Sequence, residues 1–515
     1  MLASSDLQRL VASSRDPAVT RDLLQLPSVA STALHLLHSI REGNAGAEET
    51  QESLLLCYRV MRNAAAAGPA TCTALLHLDL LGIVRATLDL ISSAAISLNW
   101  KLPVAVGQSL ANLCNACRDS AAAAWAALFP LHLGMLAHVN EAGTQAATCL
   151  MLLACCKAVP GAAASLAGEQ GVLILTALLC THHRMLQQGE HNDNLGLLLA
   201  HLCFSHDLLP ELFQSVGAEP ISNAGSSSSS GIDSSLAQPT MAQASLLAVL
   251  CAEAHDMPDA PAADAAAVAA PAATASMRFL VRLAERLALL SAQQPLSQAQ
   301  QQVLQDALHL MRDICARDDS GRGMCGGGNL VASLQAAGFL STFLALLKAL
   351  GPIQRPPHQQ QAAAAAPPAA QDGSGIPVAE LAPALAQQAK GFPADPPYQG
   401  WRTDLLAAVA NAAHDRPSVK AEVSALGGVE LVLAQCQVDY QSPLAREWAL
   451  WGVRNLCEGN VQAQEAVRQL QLCTTVDSEE MQRLGVRLQL DEQTGKLRVA
   501  KRDDTGGAAA AAGVL

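Results

Sequence analysis

Apolar residues recur through this chain three and four positions apart, the spacing of one helix face. The runs stop at glycine, proline or asparagine. This pattern predicts short helices around Leu7–Val11 and Ala30–Ile40, then a longer amphipathic helix from Glu48 to Ala67. Four later segments pair a glycine with an apolar helix: LLGIVRATLDLI from Leu80, EQGVLILTALL from Glu169, AAGFLSTFLALL from Ala336 and LGGVELVLAQC from Leu426. Glycine there can turn the chain between a short helix and a longer one. A second element recurs at helix ends, where a short polar residue follows the apolar run. It reads MRN at 61–63, LANLC at 110–114, LMRDIC at 310–315, VANAA at 409–413 and VRNLC at 453–457. A helical unit repeated at irregular spacing predicts an all-α solenoid of degenerate repeats.

From Tyr440 to Asn460 the apolar positions cover most of a helix circumference. Pro443 suits a helix start, and Gly459-Asn460 tolerate the left-handed turn that ends one. Leu444, Trp448 and Trp451 line one side, Ala449, Val453 and Leu456 another, and Glu447, Arg454 and Glu458 make a narrow polar stripe. A helix apolar nearly all round is expected to be covered by others. Trp448 and Trp451 are therefore expected in the core. Asn455 falls between them and needs a hydrogen-bond partner if buried.

AREWALWGVRNLCEGN, with SALGGVELVLAQCQVDYQSPL before it, resembles the C-terminal signature of the ataxin-10 family. In that family an EWA-W--RNL-E-N helix follows an LGG repeat start and a C--D--NP connector. Gly427, Gly428, Pro443, Arg446, Glu447, Trp448, Trp451, Arg454, Asn455 and Glu458 carry the signature here. The match runs roughly from Trp401 to Gln471. RVMRNAAAA near Arg59, LANLCNACRDSAAAAWAALFP from Leu110 and LQAAGFLSTFLALLKAL from Leu334 match it more loosely. The resemblance implies an armadillo-like α-solenoid, a right-handed superhelix without known catalytic residues. It also implies relatives linked to cytokinesis, cilia and neurite growth.

Low-complexity stretches divide the array. Flexible insertions are expected at about 218–240, which contains GSSSSSG, and at 256–276, which is mostly alanine and proline. QRPPHQQQAAAAAPPAAQDGSG lacks apolar periodicity and reads as linker. The expected division is helical repeats over 1–350, a linker over 351–397 holding one isolated helix at Val378–Lys390, and the family's C-terminal domain over 398–475. A helix and β-hairpin tail over 476–502 and a disordered tail over 503–515 complete it. The hairpin is read from Val486, Leu488 and Leu490 alternating with polar residues, and from Leu497 and Val499 beyond a Thr494-Gly495 turn.

Half of the 515 residues are hydrophobic yet only 3% are aromatic, so alanine and leucine do the packing, as suits close-set helices. A net charge of −13 argues against non-specific nucleic-acid binding. The first residues have no continuous apolar core, so no secretory signal is expected. No run reaches the ~18 apolar residues of a membrane span. Fifteen cysteines without such a signal suggest reduced thiols in a cytoplasmic protein. The resemblance adds a perinuclear or ciliary-base location.

Candidate chemistry is sparse. Gly321 to Gly326 fits G-x-G-x-x-G, but a helical pattern precedes it and no acidic residue follows ~20 positions on, so it reads as a loop. Cys114 and Cys117 form a lone CxxC where zinc needs four converging ligands, so both are expected to pack in the core. His201 and His206, five apart, are expected off a shared helical face. No metalloprotease, serine-hydrolase, P-loop or kinase motif is present. No cofactor, metal or catalytic residue is assigned. Asn63, Asn112, Asn411 and Asn455 are the candidate partner-binding residues, because a carboxamide offers both the donor and the acceptor a peptide unit requires. They stand equally as caps of loop carbonyls.

The expected function is a non-enzymatic protein–protein interaction scaffold with a concave groove. By resemblance it would be a regulator of cytokinesis or of cilium and cytoskeleton organisation, with homo-oligomerisation open. The alternatives are a transport adapter of the importin class that binds basic peptides and, less favoured, a copper-handling protein.

Overall fold

The structure is a computed structural model describing residues 2–15, 25–42, 47–93, 101–217, 238–256, 273–317, 329–351, 383–469, 483–490 and 497–501. Gly321–Gly326, residues 218–237 and 257–272 of the expected insertions, and the 503–515 tail lie outside these residues. Among the described residues the chain is all-α apart from one two-stranded hairpin. It forms two compact units, Met1–Leu290 with Gln294–Gly338, and Ser291–Gln293 with Phe339–Leu515. The second unit thus begins one helix ahead of the boundary expected at residue 350.

The helices of the first unit are α1 (Ser4–Ser13), α2 (Leu26–Glu42), α3 (Ala47–Ala66), α4 (Pro69–His77), α5 (Leu80–Ser92), α6 (Lys101–Ala116), α7 (Arg118–Leu128), α8 (Leu131–Ala137) and α9 (Ala142–Ala158). They continue as α10 (Ala162–Ala167), α11 (Glu169–Gln187), α12 (Asp193–Ala200) and, after a π-helical turn at His201–Ser205, α13 (Leu209–Gly217). The unit is completed by α14 (Met241–Asp256), α15 (Ala275–Ser291, whose last residue is assigned to the second unit), α16 (Gln298–Ala316) and α17 (Leu330–Ala336).

Two rows of helices emerge from the packing. In one, α1, α3, α6, α9, α12, α14 and α16 each lie against the next; in the other, α2, α5, α8, α11 and α13 do. Within each row a helix therefore packs on one two or three places further along the sequence. Small side chains set the spacing: a Cβ on Gly107 of α6 would sit 3.2 Å from the Ala147 methyl of α9.

The recurrent glycines do two jobs. Gly338 (φ +84°) and Gly427 (φ +72°) turn the chain just before a helix, as the pattern predicted. Gly82 and Gly171 instead lie in the first turn of α5 and α11. A Cβ there would meet the Asp79 carboxylate at 2.2 Å or the Leu166 backbone at 2.3 Å. Ahead of α5 the left-handed residue is Asp79, whose Oδ1 caps the helix by accepting from the Gly82 N–H.

The second unit holds α18 (Phe339–Ala349), α19 (Pro383–Ala389), α20 (Trp401–Ala413), α21 (Pro417–Ala425), α22 (Gly428–Leu433), α23 (Ala445–Cys457) and α24 (Val461–Gln469). Its most enclosed helix is α20, which buries eleven of its thirteen residues, Trp401 among them. Alanines on several sides let α18, α21 and α23 all approach. Part of the expected linker is structured: α19 packs on α18 and buries Leu385 and Ala389, and Phe392 follows them inside. The helix expected at Val378–Lys390 is therefore docked rather than isolated.

In the tail, β1 (Val486–Leu490) pairs antiparallel with β2 (Leu497–Lys501), Leu488 facing Val499 and Leu490 facing Leu497. The Thr494-Gly495 turn lies outside the described residues.

Candidate protein-interaction surface

Helix α23 has two unlike sides. Ala445, Ala449, Gly452 and Leu456 are buried at steps of four, three and four, a single stripe on the helix. A Cβ on Gly452 would stand 3.2 Å from Val432 Cγ1 and 3.6 Å from Ala410 Cβ, so glycine admits the close approach of α20 and α22. The helix opens at Ala445, two residues beyond the exposed Pro443, and Gly459 (φ +68°) closes it.

The side carrying Leu444, Trp448 and Trp451 is not covered, contrary to expectation. Trp451 is 53% exposed and Leu444 58%, while Trp448 is half-buried. Neighbours close on the small-residue stripe and leave the large side chains outward. The Arg454 guanidinium stacks 4.9 Å from the Trp451 ring centroid, a cation–π contact. Arg446 Nη2 pairs with Glu447 Oε1 at 3.1 Å at the surface. Tyr440 and Leu450 are also exposed nearby in sequence, making several large apolar side chains in one segment.

Three of the four asparagines hold helix ends together. Asn112 Nδ2 on α6 donates to the Arg62 carbonyl of α3 at 3.0 Å, and Asn455 Nδ2 on α23 donates to the Ala410 carbonyl of α20 at 3.0 Å. Arg62 and Ala410 immediately precede Asn63 and Asn411, so each bond links equivalent places on helices three apart in the chain. Asn63 Nδ2 donates to Ser14 Oγ at 3.0 Å, and its Oδ1 accepts from Arg62 Nε and Nη2. Asn411 is half-buried, and its carbonyl accepts from Arg416 Nη1 at 2.8 Å. Asn63 and Asn112 lie in the first unit and Asn411 and Asn455 in the second. They form two pairs.

The other signature residues are mostly architectural. A Cβ on Gly428 would fall 2.8 Å from Val423 Cγ1 and 2.9 Å from Leu344 Cδ1. Glu458 is exposed, but its carbonyl accepts from Nζ of the buried Lys420 at 2.7 Å.

Two arrangements escaped the sequence reading. Arg402, only 4% exposed, donates from Nε to Asp439 Oδ2 at 2.9 Å and from Nη1 to Gln435 Oε1. Burial lowers the affinity of the Arg402 guanidinium for its proton, and Asp439 opposes that effect. Asp439 is the acidic residue of the quoted connector, which was the available clue. The π-helical turn at His201–Ser205 brings the His201 and His206 rings within 3.3 Å, Nε2 to Nε2. An i, i+5 pair shares a face in a π-turn, not in an α-helix. Burial, with His206 alongside, pushes His201 down to about 4.

The CxxC splits between two tasks. Cys114 is buried with its Sγ 4.0 Å from that of Cys155, while Cys117 caps α7 by accepting from the Ser120 N–H. The hydrogen bond from Cys155, reinforced by burial, raises the Cys114 thiol well above its ordinary range, the opposite of a reactive thiolate. Among the described residues no three His, Cys, Asp or Glu side chains converge as metal ligands. Among them also, no single helix is long and apolar enough to cross a membrane.

Fold and surface together define an all-α protein of successively packed helices, with a C-terminal helix that shows tryptophan outward. Residues 401–500 match the family model described as the Spinocerebellar ataxia type 10 protein domain, so the C-terminal segment is similar to that family's domain. Similar proteins include the ataxin-10 homolog of Dictyostelium discoideum, 29% identical over 94 residues, covering 18% of this chain and 15% of that protein. Ataxin-10 of Xenopus tropicalis is 30% identical over 98 residues, 19% of this chain and 20% of that protein. Ataxin-10 of Homo sapiens is 23% identical over 106 residues, 21% and 22% of the two. The similarity thus spans about a fifth or less of the relatives' length.

Proposed function

We propose that this chain is a non-enzymatic protein-interaction scaffold that binds a protein partner through the outward side of α23. The observation that carries this reading is the exposure of Trp451 and Leu444 on a helix whose opposite side is closely packed. Large apolar and aromatic side chains left in water are costly unless used, and tryptophan is enriched among the residues that dominate interfaces. Arg454, stacked on Trp451, adds a polar contact at its edge. Stacked helices hold these groups ready, so binding sacrifices little ordering entropy. By resemblance alone, the reading extends to a cytoplasmic role in cytokinesis or in cilium and cytoskeleton organisation.

The test compares wild type with a Leu444→Ser/Trp451→Ala variant of matching melting temperature, by quantitative affinity capture and by mass in solution. Specific partners lost only from the variant support the reading. Unchanged partners and unchanged mass overturn it. A drop in mass alone makes a second copy of the chain the partner.

A further inference from the structure

Helices α11, α12, α14 and α16 of the first unit line a half-open cavity of about 790 Å³. Its apolar lining includes Leu186, Met241 and Val249, and its polar lining includes His182, Asn192, Glu253 and Asp306. Three buried polar atoms here have no hydrogen-bond partner among the described residues: Asp306 Oδ2, Asn192 Oδ1 and His182 Nδ1. All three side chains are more than nine-tenths buried. Such atoms are costly to leave unpaired, so a cavity that gathers them is organised for a ligand that completes them.

The character of the set decides the ligand. Two of the three are oxygens that only accept, and the third is an imidazole nitrogen. Burial, with His191 close by, holds His182 below the usual histidine range, which favours the neutral imidazole, whose Nδ1 accepts when its proton sits on Nε2. Asp306 Oδ1 already accepts from Gln302 Nε2 at 2.9 Å, leaving Oδ2 for another donor. Glu253 brings a second carboxylate, lodged over α12 where a Cβ on Gly196 would lie 2.3 Å from its Oε2. Burial pushes Asp306 up to about 6, and a cation beside it would favour its ionised form. A site of acceptors and carboxylates with apolar walls suits a donor-rich cation on an aliphatic stem.

We propose that this cavity receives an arginine or lysine side chain from a protein partner, its N–H groups reaching Asp306 and Asn192 and its stem lying along Leu186, Met241 and Val249. The proposal rests on the reading of the chain as a protein-interaction scaffold, but not on the α23 surface. The chain's net charge of −13 favours approach of such a basic segment.

The test uses the full chain and three small probes: N-acetylarginine methylamide, N-acetyllysine methylamide and the neutral isostere N-acetylcitrulline methylamide. Binding is read by ligand-observed saturation-transfer NMR. The cationic probes should bind at least about tenfold more tightly than the citrulline probe, a ratio typical of one charge-assisted contact. Asp306→Asn should abolish that preference, and Ala248→Phe, at an exposed position of the lining, should block all three probes. Glu48→Gln, on the exposed side of α3, should change nothing. Equal binding of citrulline and arginine probes, no saturable binding to wild type, or equal loss in Glu48→Gln and Asp306→Asn would overturn the proposal. Failure here leaves the Trp451 experiment unaffected, so the two readings fall separately.

Discussion

Arg402 reaches Asp439 across 37 residues of sequence, Nε to Oδ2 at 2.9 Å, and fastens the start of α20 to the connector that leads into α23. Asp439 Oδ1 also accepts from the Gln441 N–H at 2.9 Å, and the Gln441 carbonyl accepts from Gly400 N at 2.9 Å. The middle of the connector is therefore held at Asp439 and Gln441 by the residues that begin α20. Removing one member of a buried pair strands the other charge. Asp439→Ala should destabilise the second unit by about 3–5 kcal/mol. Arg402→Met/Asp439→Leu should recover most of that loss. Urea titrations of the three proteins check both outcomes; a loss under about 1 kcal/mol in Asp439→Ala would show the pair to be dispensable.

The tryptophans should separate cleanly. Trp401 is fully buried, so Trp401→Ala should cost about 3–5 kcal/mol. Trp451→Ala should cost less than about 1 kcal/mol, since its ring is half in solvent and loses mainly the Arg454 contact. Thermal melts distinguish them. A large loss in Trp451→Ala would mean that the outward side of α23 is covered.

Asn455→Ala and Asn112→Ala should each cost about 1–3 kcal/mol, because each leaves a carbonyl at a helix end without its donor. Asn455, only 7% exposed, should be the more sensitive of the two. The Asp replacements should not rescue either one, since a carboxylate offers no N–H to a carbonyl. Hydrogen exchange at the ends of α3 and α20 gives a local readout.

Asp306 makes stability depend on pH in a known direction. Its ordinary value is near 3.8 and burial raises it to about 6, with Gln302 and His309 partly offsetting this. Between about pH 4 and pH 6 the folded protein therefore holds a proton that the unfolded chain has released. Stability falls as pH rises through that window, and the full penalty stands above it. Asp306→Asn should match wild type near pH 4 and exceed it at pH 7, by at most about 3 kcal/mol at about 1.4 per pH unit. His201 contributes the opposite slope as its folded value is depressed, but it is common to both proteins and cancels in the difference. His182, His191, Asp193 and Glu253 line the same cavity and are likewise unchanged. An identical pH profile for the two proteins would contradict the assignment.

Helices and the hairpin were legible because their signals are local: the spacing of apolar residues in α3 or β1 is set within a few positions. The family segment was legible because two tryptophans in fixed register with Glu447, Arg454 and Asn455 are a dense pattern. The orientation of α23 was not. Its sequence shows apolar residues on several sides, but which side meets a neighbour depends on where α20 and α22 approach. The small residues Ala445, Ala449 and Gly452 were the clue, since they mark where backbones come close. Nor could the sequence name the partners of the asparagines, because a backbone carbonyl is the same at every residue. The pairing of His201 with His206 was hidden for another reason: a π-turn, which the sequence does not announce, replaces the α-helical angles that separate positions five apart.

The asparagine bonds also have a direction. Asn63 donates back to Ser14, Asn112 to Arg62 and Asn455 to Ala410, over 49, 50 and 45 residues. During synthesis from the N-terminus, each acceptor leaves the ribosome before its donor exists. Asn63, Asn112 and Asn455 each then close on a surface already laid down, while the Arg62 and Ala410 carbonyls stay open until the later helix arrives. A chain built this way can be ordered progressively as it emerges, one unit after another.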